Sequence, residues 1–448
     1  MNPLLRILYI FYRLFSSARY RALRRITPPG RAVVVGALVA AMMGIDPENT
    51  VGYQAFTLLF ALLVVGTAFS LYFRLHFSAV RQLPRFGTVG QPFSYRVTIQ
   101  NHTPRNQAGL TLLDNLIDPR PSYQQWRALQ LDDEKYTRPF RLSQRRRSNP
   151  FNLATIKEAA VPPLPAHREV QAEVQLTPLR RGLLQFSAVS LARTDPFGLF
   201  RTFAKLPLPQ TVLILPKRYW LPPLALPGLL KYQRGGVALA SNVGQSDEFV
   251  SLREYRRGDP IRHIHWRSWA KAGKPIVKEF EDEFFVRHAL VLDTFTDRPY
   301  SDEFEEAVSV AASFACTVLT QESLLDLLFV GTEAYCFTAG RGLAHADQML
   351  EILASVRPCA DRSFAALETM GVNHASAVSG CICVLLAWDE ERREMVRKLK
   401  ALGLPVLVLV IHGHTPRKPL EPGPLRDEPE RLLALDIGRI EEQLATLT

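Results

Sequence analysis

The chain has 448 residues, 47% of them hydrophobic and 22% charged, with a formal net charge of +11. That length excludes a single ordinary core and predicts two or three domains, with the apolar share of a globular protein. Residues 1–160 hold 21 Lys and Arg against 8 Asp and Glu, so the remainder is close to neutral. Basicity confined to the N-terminal third points to a membrane surface rather than to nucleic acid.

Residues 1–31 form a basic N-terminal segment. Within it, residues 4–20 mix Leu, Ile, Phe and Tyr with spaced Arg, the pattern of a helix lying in a membrane interface. Ala32 to Ile45 is a charge-free apolar run, somewhat short for a span, and Tyr53 to Phe73 is a longer one. About 20 such residues cross a bilayer. Asp46-Pro47-Glu48-Asn49-Thr50 between them is too short to be a domain. Residues 32–75 therefore predict a two-helix transmembrane hairpin, because backbone in lipid must bond to itself. One span plus one buried helix is the alternative. Arg6, Arg13, Arg19, Arg21, Arg24, Arg25 and Arg31 precede the first run, and Arg74, Arg81 and Arg85 follow the second. The turn carries two acids and no base, so the positive-inside rule places both termini and the soluble part in the cytoplasm. A cleaved signal peptide fits poorly, since the apolar run comes late and a second one follows.

Residues 76–215 change to short alternating segments, such as Phe93-Ser-Tyr95-Arg-Val97-Thr-Ile99 and Arg168-Glu-Val170-Gln-Ala172-Glu-Val174. Period-two alternation between turn residues predicts an antiparallel β-sandwich-like domain. A polar, Arg-rich insertion at 132–160 interrupts it. Leu179-Arg180-Arg181-Gly182-Leu183 and Asp195-Pro196-Phe197-Gly198-Leu199-Phe200 close the domain, the latter as a tight turn with aromatic packing. Pro207, Pro209, Pro216, Pro222, Pro223 and Pro227 then read as a stiff connection.

Residues 216–285 contain the densest polar window of the chain, from Asp247 to Glu283. Arg253, Arg256, Arg257, Arg262, Arg267, Lys271, Lys274 and Lys278 surround a Gly258-Asp259-Pro260 turn, with Trp266 and Trp269 just beyond. His263 and His265 stand at i and i+2, so on a strand they face one side, and with Asp259 they offer a metal or acid–base set. No nucleophile elbow or phosphate loop accompanies them. Six nearby acids dilute the positive field against nucleic acid. The favoured reading is a structural clasp with some exposed docking residues: Asp259 accepts backbone N–H groups and pairs with Arg253 or Arg262, and the two tryptophans supply apolar area.

Residues 286–448 alternate strand and helix signals. Ala289 to Leu292 reads as a buried strand ending in Asp293, and Ser301 as the cap of a helix with acids in its first turn. Further strands are expected at Leu324–Val330, Cys381–Ala387 and Val406–Ile411, with helices near Leu343–Val356 and Glu390–Leu402. Apolar strands alternating with helices predict an α/β domain with a parallel sheet covered on both faces. All five cysteines lie here, an odd number without redox or zinc spacing, and are read as reduced and buried.

Together these landmarks resemble the bacterial domain-of-unknown-function 58 family. The resemblance rests on the hairpin, the Arg-Arg-Gly and Asp-Pro-Phe-Gly-Leu elements, and a Tyr-x-x-Gly-Asp-x-x-Arg-x-x-x-Trp block at Tyr255, Gly258, Asp259, Arg262 and Trp266. It implies a C-terminal von Willebrand factor A-like, Rossmann-like domain in the bacterial inner membrane protein. It also implies a MoxR-type AAA+ ATPase partner and, in some cases, a transglutaminase-like membrane protein. In von Willebrand A domains the first strand ends in Asp-x-Ser-x-Ser, which ligates Mg²⁺ through hard oxygens. Here the run is Asp293-Thr294-Phe295-Thr296-Asp297, so the implied Mg²⁺ site of Asp293, Asp297 and Asp389 is degenerate. The expectation is a membrane-anchored, non-catalytic adaptor touching membrane lipid. Its block is Arg253, Tyr255, Gly258, Asp259, Arg262, His265 and Trp266. The rivals are a metal-dependent enzyme built on the three aspartates or on His263 and His265, and a purely structural membrane scaffold.

Overall fold

A computed structural model describes residues 3–43, 50–71, 75–118, 120–127, 151–222, 249–257, 259, 261, 264–280, 287–298, 300–320, 324–339, 343–413 and 420–447. The chain divides into two compact units, Met1–Lys217 and Arg218–Thr448.

The first unit opens with helix α1 (Pro3–Arg25), followed by α2 (Pro28–Met43) and α3 (Thr50–Leu71). Thr27-Pro28 is a helix start written in the sequence: the Thr27 hydroxyl accepts the Gly30 N–H at 3.1 Å, and proline suits the first helical position. Val51–Ser70 of α3 is long and apolar enough to cross a membrane, whereas α2 is a shorter apolar helix of 16 residues. The polar turn read between them lies mostly outside the described residues, of which only Thr50 is placed.

Two sheets follow. One has the order β1 (Phe77–Gln82), β3 (Phe93–Asn101), β7 (Glu169–Pro178), β5 (Ala154–Ile156). The other runs β2 (Phe86–Thr88), β9 (Arg201–Leu215), β8 (Gly182–Thr194), β4 (Leu110–Leu116), β6 (Ala159–Ala160). Inward residues of both, including Tyr95, Val97, Ile99, Leu112, Leu184, Phe186 and Ile214, share one core. Buried within it, Arg81 forks onto Asp114 at 2.5 and 2.7 Å, stacks over Phe186, and shares Asp114 with the Tyr95 hydroxyl. Burial, then the Asp114 charge, pushes the Tyr95 phenol far up, so it stays a donor.

Two expectations are corrected here. Regular structure resumes at β5 and β6, inside the segment read as a polar insertion; residues 132–150 of it lie outside the described residues. Pro207 and Pro209 belong to β9 rather than to a linker. Pro207 lies opposite Ala188 at the register shift after Phe186, beyond the stretch paired with β2. A strand tolerates proline at an edge or bulge, where no ladder N–H is required.

In the second unit, β10 (Phe249–Glu254) pairs antiparallel with β11 (Ile276–Phe280), with α4 (Trp266–Ala272) between them. A six-stranded sheet follows, in the order β14 (Ala334–Ala339), β13 (Leu324–Val330), β12 (Arg287–Leu292), β15 (Gly380–Leu385), β16 (Val406–His412), β17 (Leu432–Asp436). All its pairings are parallel except β13 with β14, so the sheet is mixed rather than parallel throughout. Its four central strands, β12, β13, β15 and β16, are buried along nearly their whole length, hence the unbroken apolar runs. Helix α5 (Asp302–Thr320) packs against β12, β13, β15 and β16. Ser301 caps it, its hydroxyl accepting the Phe304 N–H at 3.2 Å. Helix α6 (Leu343–Ser355) lies beside α5. Helices α7 (Ala365–His374) and α8 (Glu390–Ala401) supply Leu367, Met395, Val396 and Leu399 to a core with Ala289, Val291, Cys381, Cys383 and Val408. Helix α9 (Ile440–Ala445) follows β17.

Candidate functional site

The parallel sheet carries its polar chemistry at the carboxyl ends of β12 and β15. Asp293 leaves β12 fully buried. Its Oδ1 accepts the Phe295 N–H at 2.9 Å, and its Oδ2 accepts the Leu386 N–H at 3.0 Å and Arg392 Nε at 2.7 Å. Asp389 caps α8 by accepting the Arg392 N–H at 3.1 Å, and its Oδ2 meets Arg392 Nη1 at 2.5 Å. One buried guanidinium therefore bridges two carboxylates, and it also lies 4.7 Å over the Phe364 ring. Burial opposes the charge on Arg392, but the two aspartates outweigh it and its pKa rises. Asp297 is exposed on the loop beyond. The structure thus brings together Asp293 and Asp389 but does not draw Asp297 in with them. Among the described residues, no three His, Cys, Asp or Glu side chains converge as a metal cage.

The window around Asp259 forms a separate set. Arg253, on β10, grips Asp259 with two bonds of 2.7 and 2.8 Å, and the Arg256 N–H adds a third at 2.7 Å. The Arg253 fork and the Arg256 amide hold the Asp259 carboxyl down at about 2. The Tyr255 N–H donates to Pro275 O at 2.9 Å, and Lys274 pairs with Glu254, tying the two strands. His265 precedes α4 instead of lying on a strand. Its backbone N–H reaches Ile276 O at 2.8 Å, and its Nδ1 lies 2.7 Å from Ser268 Oγ. Trp266 stacks on Trp269 with ring centroids 5.2 Å apart and is 62% exposed. Gly258, Arg262 and His263 lie outside the described residues.

A third cluster escaped the sequence reading. Asp326, buried on β13, receives Arg287 Nε at 2.7 Å and Nη2 at 3.0 Å, and lies 2.6 Å from His374 Nε2. Burial raises the Asp326 carboxyl, but bonds from His374 and Arg287 outweigh it and its pKa falls. An Asp–His pair invites a search for a nucleophile. Cys336 lies within the field of Asp326, but burial and that carboxylate push its thiol up, against thiolate formation. The arrangement orients charges without activating a reacting group.

In the first unit, the Asp195–Phe200 turn does more than close β8 onto β9. Asp195 Oδ1 accepts the Phe200 N–H at 2.7 Å, and Gly198 adopts φ 69°. Thr27 then docks on the turn: its N–H reaches Leu199 O at 3.0 Å, and its hydroxyl donates to Gly198 O at 2.5 Å. Phe69 of α3 meets Phe197 edge-on at 6.3 Å. The tight turn read from sequence is also the seat of the apolar helices.

Residues 251–419 match the family described as protein of unknown function DUF58. The match takes in the Asp259 window, the carboxyl ends of β12 and β15, and the Asp326 cluster. The Uncharacterized protein YeaD of Bacillus subtilis (strain 168) is 29% identical over 191 residues, which is 42% of this chain and 46% of that protein. The chain thus spans just under half of that relative's length. Solved structures give faint likenesses. A CARDB domain from Pyrococcus furiosus is 10% identical, covering 31% of this chain and 93% of that one at TM-score 0.16. A cohesin module from Clostridium perfringens is 8% identical, covering 32% and 98% at TM-score 0.15. Neither carries an argument about fold or function.

Proposed function

We propose that the chain is a membrane-anchored, non-catalytic adaptor that couples a MoxR-type AAA+ ATPase to the cytoplasmic face of a bacterial inner membrane. On this reading α2 and α3 form the transmembrane hairpin. The two sheets of the first unit form a sandwich-like domain, and the second unit is von Willebrand A-like. The observation that carries the reading is the stretch Val51–Ser70 of helix α3, long and apolar enough to cross a membrane, in which only Gly52 and Gly66 are buried. A run that long and that bare needs lipid or a partner. Supporting it, the three polar clusters are closed ion-pair sets in which every carboxylate faces an arginine. Such forks fix geometry.

The test is crosslinking in intact cells, followed by purification of the full chain in mild detergent. The chain is expected to stay in the membrane fraction through alkaline carbonate and to carry the organism's MoxR-type ATPase with it. Release by carbonate removes the anchor from the proposal, and a folded chain with no crosslink to that ATPase removes the adaptor.

A further inference from the structure

We infer that Arg392 does at this sheet what a divalent cation does in the domains it resembles: its guanidinium, not a metal, holds the strand-end carboxylates together. The inference does not depend on the adaptor reading. In the order β13-β12-β15, the chain leaves β12 toward one side and returns to β15 on the other. The loops after β12 and β15 therefore part, and open α/β sheets take their ligands in such a crevice. Asp293 and Asp389 stand there, and the Arg392 side chain fills the place between them. Its Nε lies 2.7 Å from Asp293 Oδ2 and its Nη1 2.5 Å from Asp389 Oδ2.

The remaining donors do not fit a hard cation. Mg²⁺ requires oxygen ligands at about 2.1 Å in near-octahedral array. Thr294 Oγ1 is turned onto Val330 O, and Thr296 Oγ1 accepts the Arg298 N–H. Phe295, in place of a serine, packs its ring edge-on against Phe364 at 5.5 Å, and Phe364 in turn lies beneath the guanidinium. An aromatic floor suits a planar cation and offers nothing to a metal. Arg392 also lies in the first turn of α8, where its backbone N–H is capped by Asp389, so helix cap and charge bridge meet at one residue.

Removing Arg392 leaves two facing carboxylates without their shared countercharge. Thermal unfolding of the full chain in detergent, with EDTA or with millimolar Mg²⁺ or Ca²⁺, reads this out. Wild type should show no saturable shift with either ion. Arg392→Ala should melt roughly 10 °C lower in EDTA, and neither ion should restore it to the wild-type value. A saturable cation-dependent rise in wild type that disappears in Asp293→Asn overturns the inference. So does an Arg392→Ala protein that melts like wild type. If Arg392→Ala does not fold, the wild-type titration decides alone: no shift supports the guanidinium, and a saturable shift overturns it.

Discussion

His288 sits on β12, buried at 3% exposure, and its Nδ1 finds no hydrogen-bond partner among the described residues. Burial alone drags its pKa from 6.5 down to about 4. The unfolded chain therefore binds a proton there more readily than the folded one. The stability associated with the neutral ring is complete above pH 6.5 and is lost as pH falls toward 4. His288→Leu, close in volume and free of the orphaned nitrogen, should move the acid-unfolding midpoint lower and leave stability at pH 8 unchanged or higher. Circular dichroism across pH 8 to 4 checks it, and coincident curves for the two proteins would sink the assignment. Asp259 has the same sign in a lower window. Held at about 2 by Arg253 and the Arg256 amide, it favours the folded state above its ordinary value near 3.8 and stops doing so as pH falls toward 2.

Among the elements, the seat of α2 and α3 on the Asp195–Phe200 turn depends on two glycines. A Cβ at Gly30 would lie 2.2 Å from the Leu199 carbonyl oxygen, a backbone atom that cannot swing away. At Gly66 it would meet Asp195 Oδ2 and the Phe200 ring at 3.1 Å. Gly30→Ala should therefore cost about 2 kcal/mol, by overpacking and by loss of the Thr27 bonds. Gly36→Ala, on the same helix but at ordinary contact distance from Leu59, should be neutral or stabilising. Thermal melts of the full chain in detergent separate the two, and equal losses would mean that the seam does not hold the helix. The sequence displayed the turn but not its occupant, because Thr27 and Gly198 lie far apart in the chain and no local pattern links them. The same limit hid Asp326. Leu-Leu-Asp-Leu-Leu reads as an apolar strand, and its partners Arg287 and His374 lie 39 and 48 positions away. Arg392 was masked differently. Within Asp-Glu-Glu-Arg-Arg it looks like one more charge on a solvated helix, and only the crossover that brings β12 beside β15 shows where it points. What was legible was local: the Ser301 cap, the buried strands, and an Asp259 turn paired with arginine, its partner left open between Arg253 and Arg262. The edge strand β14 is a short run, Ala334 to Phe337 with Thr338 and Ala339, that shows no alternation, and its residues are mostly exposed.

For the whole molecule, the question is how so basic an N-terminal third meets its surroundings, and α1 carries the answer on two opposite faces. Tyr9 donates to Pro121 O at 2.9 Å and packs on Trp126, with Tyr12 and Arg24 fixing the same side to residues of the β unit. Ile7, Ile10, Phe11, Leu14 and Phe15 fall at i, i+3, i+4, i+7 and i+8 and are exposed. Arg6, Arg19 and Arg25 flank them. An apolar stripe edged with arginine suits an anionic leaflet, each basic residue near it adding about 1 kcal/mol. The helix would then lie flat beside the anchor, with its tyrosine side holding the β unit. A fluorophore at Phe15 should be quenched by brominated acyl chains in vesicles containing phosphatidylglycerol, and less so in neutral vesicles. A fluorophore at Ser16, half-buried on the other face, should be quenched weakly in both. Equal quenching at the two positions, or indifference at Phe15 to lipid charge, would take α1 out of the membrane surface. That result would leave the proposed hairpin of α2 and α3 to make the contact with lipid.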